Sequence, residues 1–159
     1  MKSSTPSSHT QFVDLDNARV DEQREVMKKI INEGHCPFCS ENLHLYHTVA
    51  NELEGDHWFI TKNLWPYKNT KFHYLAILKR HAELVSELTN EEGAELIQLL
   101  GKLEKKLKVT GGGFAVRFGD TNYSAGTVKH IHAQFIVPDI DNDNFEPVRF
   151  KLGKDKDKR

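Results

Sequence analysis

Two groups of residues carry chemistry by type and spacing: Cys36-Pro37-Phe38-Cys39, and the run from Thr127 to Pro138 that holds His130, His132 and Gln134. Val128 to Val137 alternates and is rich in β-branched residues, with Gly126 before it and Pro138-Asp139 after it, which predicts a strand ending in a turn. Strand period places His130, His132 and Gln134 on one face, and Ile131, Ala133 and Phe135 on the other. A neutral imidazole is a good nucleophile toward phosphorus, and a covalent step divides one displacement into two. For that, the second ring nitrogen must be held protonated by an acceptor, so that the attacking nitrogen keeps its lone pair. Gln134 can donate an amide hydrogen bond to a phosphoryl oxygen but cannot transfer a proton. The Gly126-Thr127 turn adds a hydroxyl and backbone N–H groups suited to anionic oxygens. A solvent-facing edge strand explains one histidine well, and three polar groups in register poorly. A cupin-type metal site would want a Glu several residues beyond the second histidine, and 135–139 holds none.

The Cys-x-x-Cys pair offers two thiolates at zinc-knuckle spacing, and tetrahedral zinc needs two more ligands. His81 and His130 are candidates, while His35, His44 and His47 are equally eligible on spacing. A redox pair belongs where a strand leads into a helix starting at the motif. Here the motif follows a helical stretch and Gly34, which favours zinc. With two cysteines in all, and a polar Ser/Thr-rich run from Met1 to Gln11 in place of an export signal, a reducing, cytoplasmic setting is expected.

The elements that must position these groups follow from periodicity. Asp14 or Asp16 is expected to cap a helix through Ala18, Val20, Val26, Met27, Ile30 and Ile31 that stops at Gly34. Strands are expected over Leu43–Ala50 and His57–Thr61, with a hairpin turn over Asn51–Asp56. Pro66 makes Asn63–Tyr67 a loop. Phe72 to Leu78 predicts a strand with Phe72, Tyr74, Ala76 and Leu78 on one side and His73, Leu75 and Ile77 on the other. Thr89-Asn90-Glu91-Glu92 is a capping box opening a helix through Leu107. Phe114–Phe118 predicts a strand, and Phe145–Leu152 a further edge strand. The fold class is α+β, a mainly antiparallel sheet with two helices, in one domain over 14–152 with a disordered tail over 1–13 and a charged tail over 153–159. Charged residues are 28% of the chain and the net charge is −1, which argues against nucleic-acid or membrane partners, and no apolar run approaches a bilayer span.

The run His130-Ile131-His132-Ala133-Gln134-Phe135-Ile136 resembles the signature of the histidine-triad (HIT) superfamily. Asn63-Leu64-Trp65-Pro66-Tyr67 resembles its Asn-x-x-Pro loop, Ala76-Ile77-Leu78-Lys79-Arg80-His81 its hydrophobic strand ending in Lys-Arg-His, and Ala125-Gly126-Thr127 the turn before the triad. The match runs from about Cys36 to Pro138. The resemblance implies an α+β homodimer that binds nucleotides and cleaves at the α-phosphate, with His132 as the nucleophile and Gln134 beside it. It implies structural zinc on Cys36, Cys39, His81 and His130, Asn63 by the nucleoside, Gly126 and Thr127 by the phosphate, and His73 near the catalytic strand. Gln134 departs from the histidine of most hydrolase branches and resembles the transferase branches, galactose-1-phosphate uridylyltransferase and diadenosine-polyphosphate phosphorylase. The loop over Lys68-Asn69-Thr70-Lys71 is longer than usual, and Asp120 and Asn122 compete for one role near the phosphates. Three functions follow: a nucleotidyltransferase or phosphorylase, a hydrolase of dinucleoside polyphosphates or nucleoside phosphoramidates, or a non-enzymatic nucleotide-binding module. Gln134 favours the first, and an intact His132 with Thr127 disfavours the last.

Overall fold

The computed structural model describes residues 11–158. Its first helix, α1 (Asp21–Glu33), carries Asp21 and Glu22 in the first turn, where acidic groups complement the helix dipole, and ends at Gly34 with φ 71°. The expected earlier start is not observed. Asp14 instead caps a separate 3-10 turn, Leu15–Asn17, by accepting from the Asp16 amide, and Val20 is extended. The Cys-x-x-Cys loop follows, then a single-turn helix α2 (Leu43–Tyr46) where a strand was expected. Leu43 from this turn packs against Leu75 and Ile77, so a tertiary contact overrides the short apolar alternation.

Strands β1 (Asn51–Glu54) and β2 (Trp58–Lys62) pair antiparallel. Asn51–Glu54 is therefore strand rather than turn, and the turn is confined to the residues after it. One carboxylate closes it: Glu95 accepts from the amides of Asp56, His57 and Trp58 at 2.7, 2.7 and 3.0 Å. Gly55 permits that approach, because a Cβ there would sit 2.5 Å from the Glu95 carboxyl carbon.

Strand β3 (Thr70–Leu78) is followed by α3 (Asn90–Leu107), which opens with the expected Thr89–Glu92 capping box. Then come β4 (Gly113–Arg117), the single turn α4 (Thr121–Ser124) and β5 (His132–Pro138). The five strands form one sheet in the order β1-β2-β3-β5-β4, with every pairing antiparallel. The molecule is α+β.

The sheet's two faces do different work. Leu96, Leu99, Leu100 and Leu103 of α3 pack on the face carrying Trp58, Ile60, Tyr74, Ala76 and Phe135. The opposite face presents His73, Leu75, His132 and Gln134 and lies beneath α1 and the Cys-x-x-Cys loop. Alternation along β3 and β5 assigns these faces as expected.

The histidine strand starts four residues later than its alternation suggests. Val128 bridges Val13, the Lys129 amide donates to the Phe12 carbonyl at 2.7 Å, and the Ile131 amide to the Ala82 carbonyl at 2.7 Å. Residues 128–131 thus pair with other segments before joining the sheet. Phe145–Leu152 forms no strand. It crosses the site face instead, where its Lys151 carbonyl accepts from Arg117 at 2.6 Å. Of the tail expected over 1–13, residues 1–10 lie outside the described residues, and Val13 is buried. At the other end Lys154 is buried, with its Nζ 2.8 Å from Asp14. No helix among the described residues is long and apolar enough to cross a membrane.

Candidate functional site

His132 opens β5 and stands opposite Ile77 of β3 and Arg117 of β4. Its Nδ1 lies 2.7 Å from the His130 carbonyl oxygen. A carbonyl only accepts, so Nδ1 carries the proton and Nε2 keeps its lone pair. Burial, with the Arg117 charge adding to it, pushes the ring down to about 4 despite the carbonyl bond, so the imidazole is neutral near pH 7. The Phe38 ring stands edge-on to it at 5.2 Å.

Gln134 points from the same face. Its Oε1 lies 2.9 Å from His73 Nε2, while the Tyr67 amide donates to His73 Nδ1 at 3.0 Å. Nδ1 is therefore the acceptor, Nε2 bears the hydrogen, and the Gln134 oxygen is engaged. The carboxamide NH2 is the end left to donate. Burial holds His73 down to about 4, which keeps this arrangement intact at neutral pH. Asn63 accepts from the Trp65 amide at 2.9 Å through Oδ1, and its Nδ2 lies 3.2 Å from His73 Nε2.

The four residues Cys36, Cys39, His81 and His130 converge, with one ligand atom from each and all four within 4.8 Å of one another. Cys36 Sγ is 3.2 Å from His130 Nδ1, and Cys39 Sγ is 3.7 Å from His81 Nδ1. Zinc bonded at about 2.3 Å to sulfur and 2.0 Å to nitrogen puts its tetrahedral ligands roughly 3.3–3.8 Å apart, so the cluster, with its ligand atoms within 4.8 Å of one another, fits such an ion after a modest contraction. The outer nitrogens are already engaged: His130 Nε2 donates to the Leu78 carbonyl at 2.6 Å, and His81 Nε2 faces Glu83 Oε1 at 3.3 Å. Burial, then the neighbouring Cys36 sulfur, push the Cys39 thiol up to about 12, so ionisation there calls for a cation's field. The competing histidines go elsewhere. His35 meets Tyr46 Oη at 2.6 Å, His47 meets Thr61 Oγ1 at 2.7 Å, and His44 is exposed on α2.

A cavity of about 470 Å³ opens over this face, lined by His132, Gln134, Asn63 and Thr127 among others. His73 stands behind Gln134, off the cavity wall. Gly126 is also off the wall: its amide donates to Ser124 Oγ at 3.2 Å and its carbonyl accepts from Asn17 Nδ2 at 2.8 Å. Asp120 caps α4 by accepting from the Asn122 amide at 2.8 Å, and both border a separate groove beside His81.

Sequence reasoning missed the cavity's cations. Arg19, Arg117, Arg149, Lys151 and Lys154 all line it. Arg117 was hidden in an otherwise apolar strand, although alternation with Ala115 put it on the site face. The others lie on segments that only the tertiary fold brings over the sheet.

No protein-family model and no curated protein matches the chain. Solved structures do. A zinc-bound histidine triad family protein from Mycobacterium smegmatis superposes with a TM-score of 0.53 at 21% identity, covering 72% of this chain and 81% of its own. A histidine triad protein from Clostridium difficile gives 0.54 at 21%, over 70% and 96%. A HIT family hydrolase from Clostridium thermocellum gives 0.53 at 20%, over 71% and 95%. A five-stranded antiparallel sheet carrying a His-x-His-x-Gln run thus has the fold of histidine-triad proteins.

Proposed function

We propose that the protein is a nucleotidyltransferase or phosphorylase acting at the α-phosphate of a nucleotide through a covalent nucleotidyl-histidine. One observation carries the reading: the 2.7 Å bond from His132 Nδ1 to the His130 carbonyl, which leaves an unprotonated Nε2 on a residue lining the cavity. In the first half-reaction Nε2 bonds to the α-phosphorus as the phosphorus–oxygen bond to the leaving group breaks, and that oxygen takes the electron pair. The Gln134 NH2 donates to a non-bridging oxygen as charge builds there, and Thr127 lines the same cavity. In the second half an acceptor oxygen attacks phosphorus, the nitrogen–phosphorus bond breaks with its electron pair returning to Nε2, and any proton on the attacking oxygen passes to solvent. A hydrolase, with water as the acceptor, is the second reading, supported by the hydrolase among the structural neighbours.

Cys36, Cys39, His81 and His130 would hold zinc, as the fit of the cluster and the zinc-bound neighbour support. Four protein ligands close the shell, so the ion's contribution is structural. It would steady His130, whose carbonyl sets the His132 tautomer, and the loop that seats Phe38. The free thiols Cys36 and Cys39 suit a reducing, cytoplasmic setting, and a homodimer is the assembly we expect.

The test is intact mass after mixing the protein with ATP, dinucleotides and nucleotide sugars. One of them should leave a nucleotidyl adduct on the wild type and none on His132→Ala. No adduct from any of them, with substrate consumed, would overturn the covalent route.

A further inference from the structure

Arg117 is 8% exposed, yet among the described residues no carboxylate pairs with it. Its Nη1 donates to the Ser124 carbonyl and, at 2.6 Å, to the Lys151 carbonyl, while Nη2 donates to Tyr67 Oη at 3.1 Å. These bonds use three of the five guanidinium hydrogens and neutralise none of the charge. The Phe150 ring lies 3.9 Å from its carbon centre on another side. Arg19 repeats the pattern at the rim. It stands over the Tyr67 ring at 4.4 Å, donates to the Trp65 carbonyl, and likewise has no carboxylate partner among the described residues. Tyr67 therefore joins two guanidiniums, one through its hydroxyl and one through its ring face. Both line the cavity that holds His132, and Arg117 is the cross-strand neighbour of His132 itself. The cavity's own carboxylate, Asp16, lies 3.1 Å from Lys154.

A buried guanidinium without a counterion is costly, and an anion taken into the cavity offsets that cost with charge-assisted, forked hydrogen bonds. We propose that Arg19 and Arg117, set by Tyr67, form a seat for a phosphate group other than the one attacked, the phosphate of the leaving group or of the acceptor. Its role in turnover rests on the His132 reading, but the binding does not. A seat beside the nucleophile serves both half-reactions: it holds the departing phosphate in the first and presents an incoming one in the second. It selects phosphates and phosphate esters over neutral alcohols and amines.

The test is calorimetric titration of the full chain with inorganic pyrophosphate and inorganic phosphate at fixed ionic strength. Wild type should bind both, pyrophosphate more tightly. Arg19→Gln should weaken pyrophosphate binding by about tenfold or more, the size expected for one charge-assisted contact, and Arg117→Lys by a similar factor because it loses the fork. Lys102→Gln, on the outer side of α3, should stay within about twofold, the scatter allowed for a screened surface charge. No pyrophosphate binding by wild type at millimolar-scale concentration, or Arg19→Gln within about twofold of wild type, overturns the seat. Should Arg117→Lys fail to fold, as the loss of a strut to Ser124 and Lys151 could cause, Arg19→Gln decides alone. The adduct measurement separates the two readings: loss of pyrophosphate binding in the arginine variants, with substrate consumed but no adduct on His132, leaves the seat standing and removes the nucleophile, and the reverse removes only the seat.

Discussion

His73 Nε2 and Gln134 Oε1 meet at 2.9 Å across β3 and β5, diagonal rather than opposite, since His73 faces Ile136 and Gln134 faces Leu75. With Tyr67 fixing the other ring nitrogen, the pair sets which end of the carboxamide faces the cavity. Burial keeps His73 down to about 4 against a usual 6.5. The unfolded chain therefore takes up a proton between those values and the native chain does not. Stability falls as pH drops from about 6.5 toward 4 and levels off below, with a slope of at most about 1.4 kcal/mol per pH unit. His73→Gln removes the titration but keeps an amide donor. Urea unfolding at pH 7 and at pH 4.5 should show wild type losing about 2 kcal/mol more than this variant. Equal losses would remove His73 as the source.

His132→Ala should keep the fold, because the side chain lines a cavity rather than filling the core, and should keep nucleotide binding. Turnover should drop by about three orders of magnitude or more, since the proposed nucleophile is gone. Near-wild-type turnover with whichever substrate forms the adduct would sink the proposed route.

Metal analysis of purified protein should find about one zinc per chain. Cys36→Ala should lower that and reduce unfolding free energy by several kcal/mol, since closing the site and folding are linked. Its effect should reach His132 through His130 and Phe38, visible as a loss of adduct rate beyond the loss of folded protein. Less than about half an equivalent in wild type, unchanged by Cys36→Ala, would refute the assignment.

The central strands were legible because they are apolar on one face and bear the candidate site groups on the other, so period-2 alternation assigned the faces of Phe72 to Leu78 in β3 and of His132 to Phe135 in β5. Strand β1 was not legible. Asn51-Glu52-Leu53-Glu54 has one apolar residue, and what holds it is the ladder to β2 and a turn closed by Glu95, about forty positions away. The candidate ligand set was ambiguous on spacing because His35, His44 and His47 are nearer the cysteines than His81 or His130, and the β3–β5 pairing brings those two together. Arg117 went unnoticed for a similar reason. Its neighbours, Tyr67, Ser124, Phe150 and Lys151, come from separate stretches of chain, and no local pattern marks their meeting.

The choice of acceptor turns on Gln134. A histidine in that place could carry a proton to a poor leaving group, whereas Gln134, its oxygen already taken by His73, offers only an N–H. Leaving groups that depart as stable anions need no such proton, and phosphate or a phosphorylated acceptor can resolve the intermediate by supplying its own ionised oxygen. Added phosphate should therefore accelerate release of the nucleotidyl group, and amine leaving groups should be handled poorly. Gln134→His should shift products toward hydrolysis, because an imidazole can assist proton movement with water. The readout is the product ratio with and without phosphate, with isotope-labelled water and phosphate tracing the new oxygen. At millimolar-scale phosphate, a typical substrate level, label from phosphate should predominate in wild type and fall in the variant. Oxygen drawn solely from water in both proteins would establish the hydrolase and make Gln134 a binding contact alone.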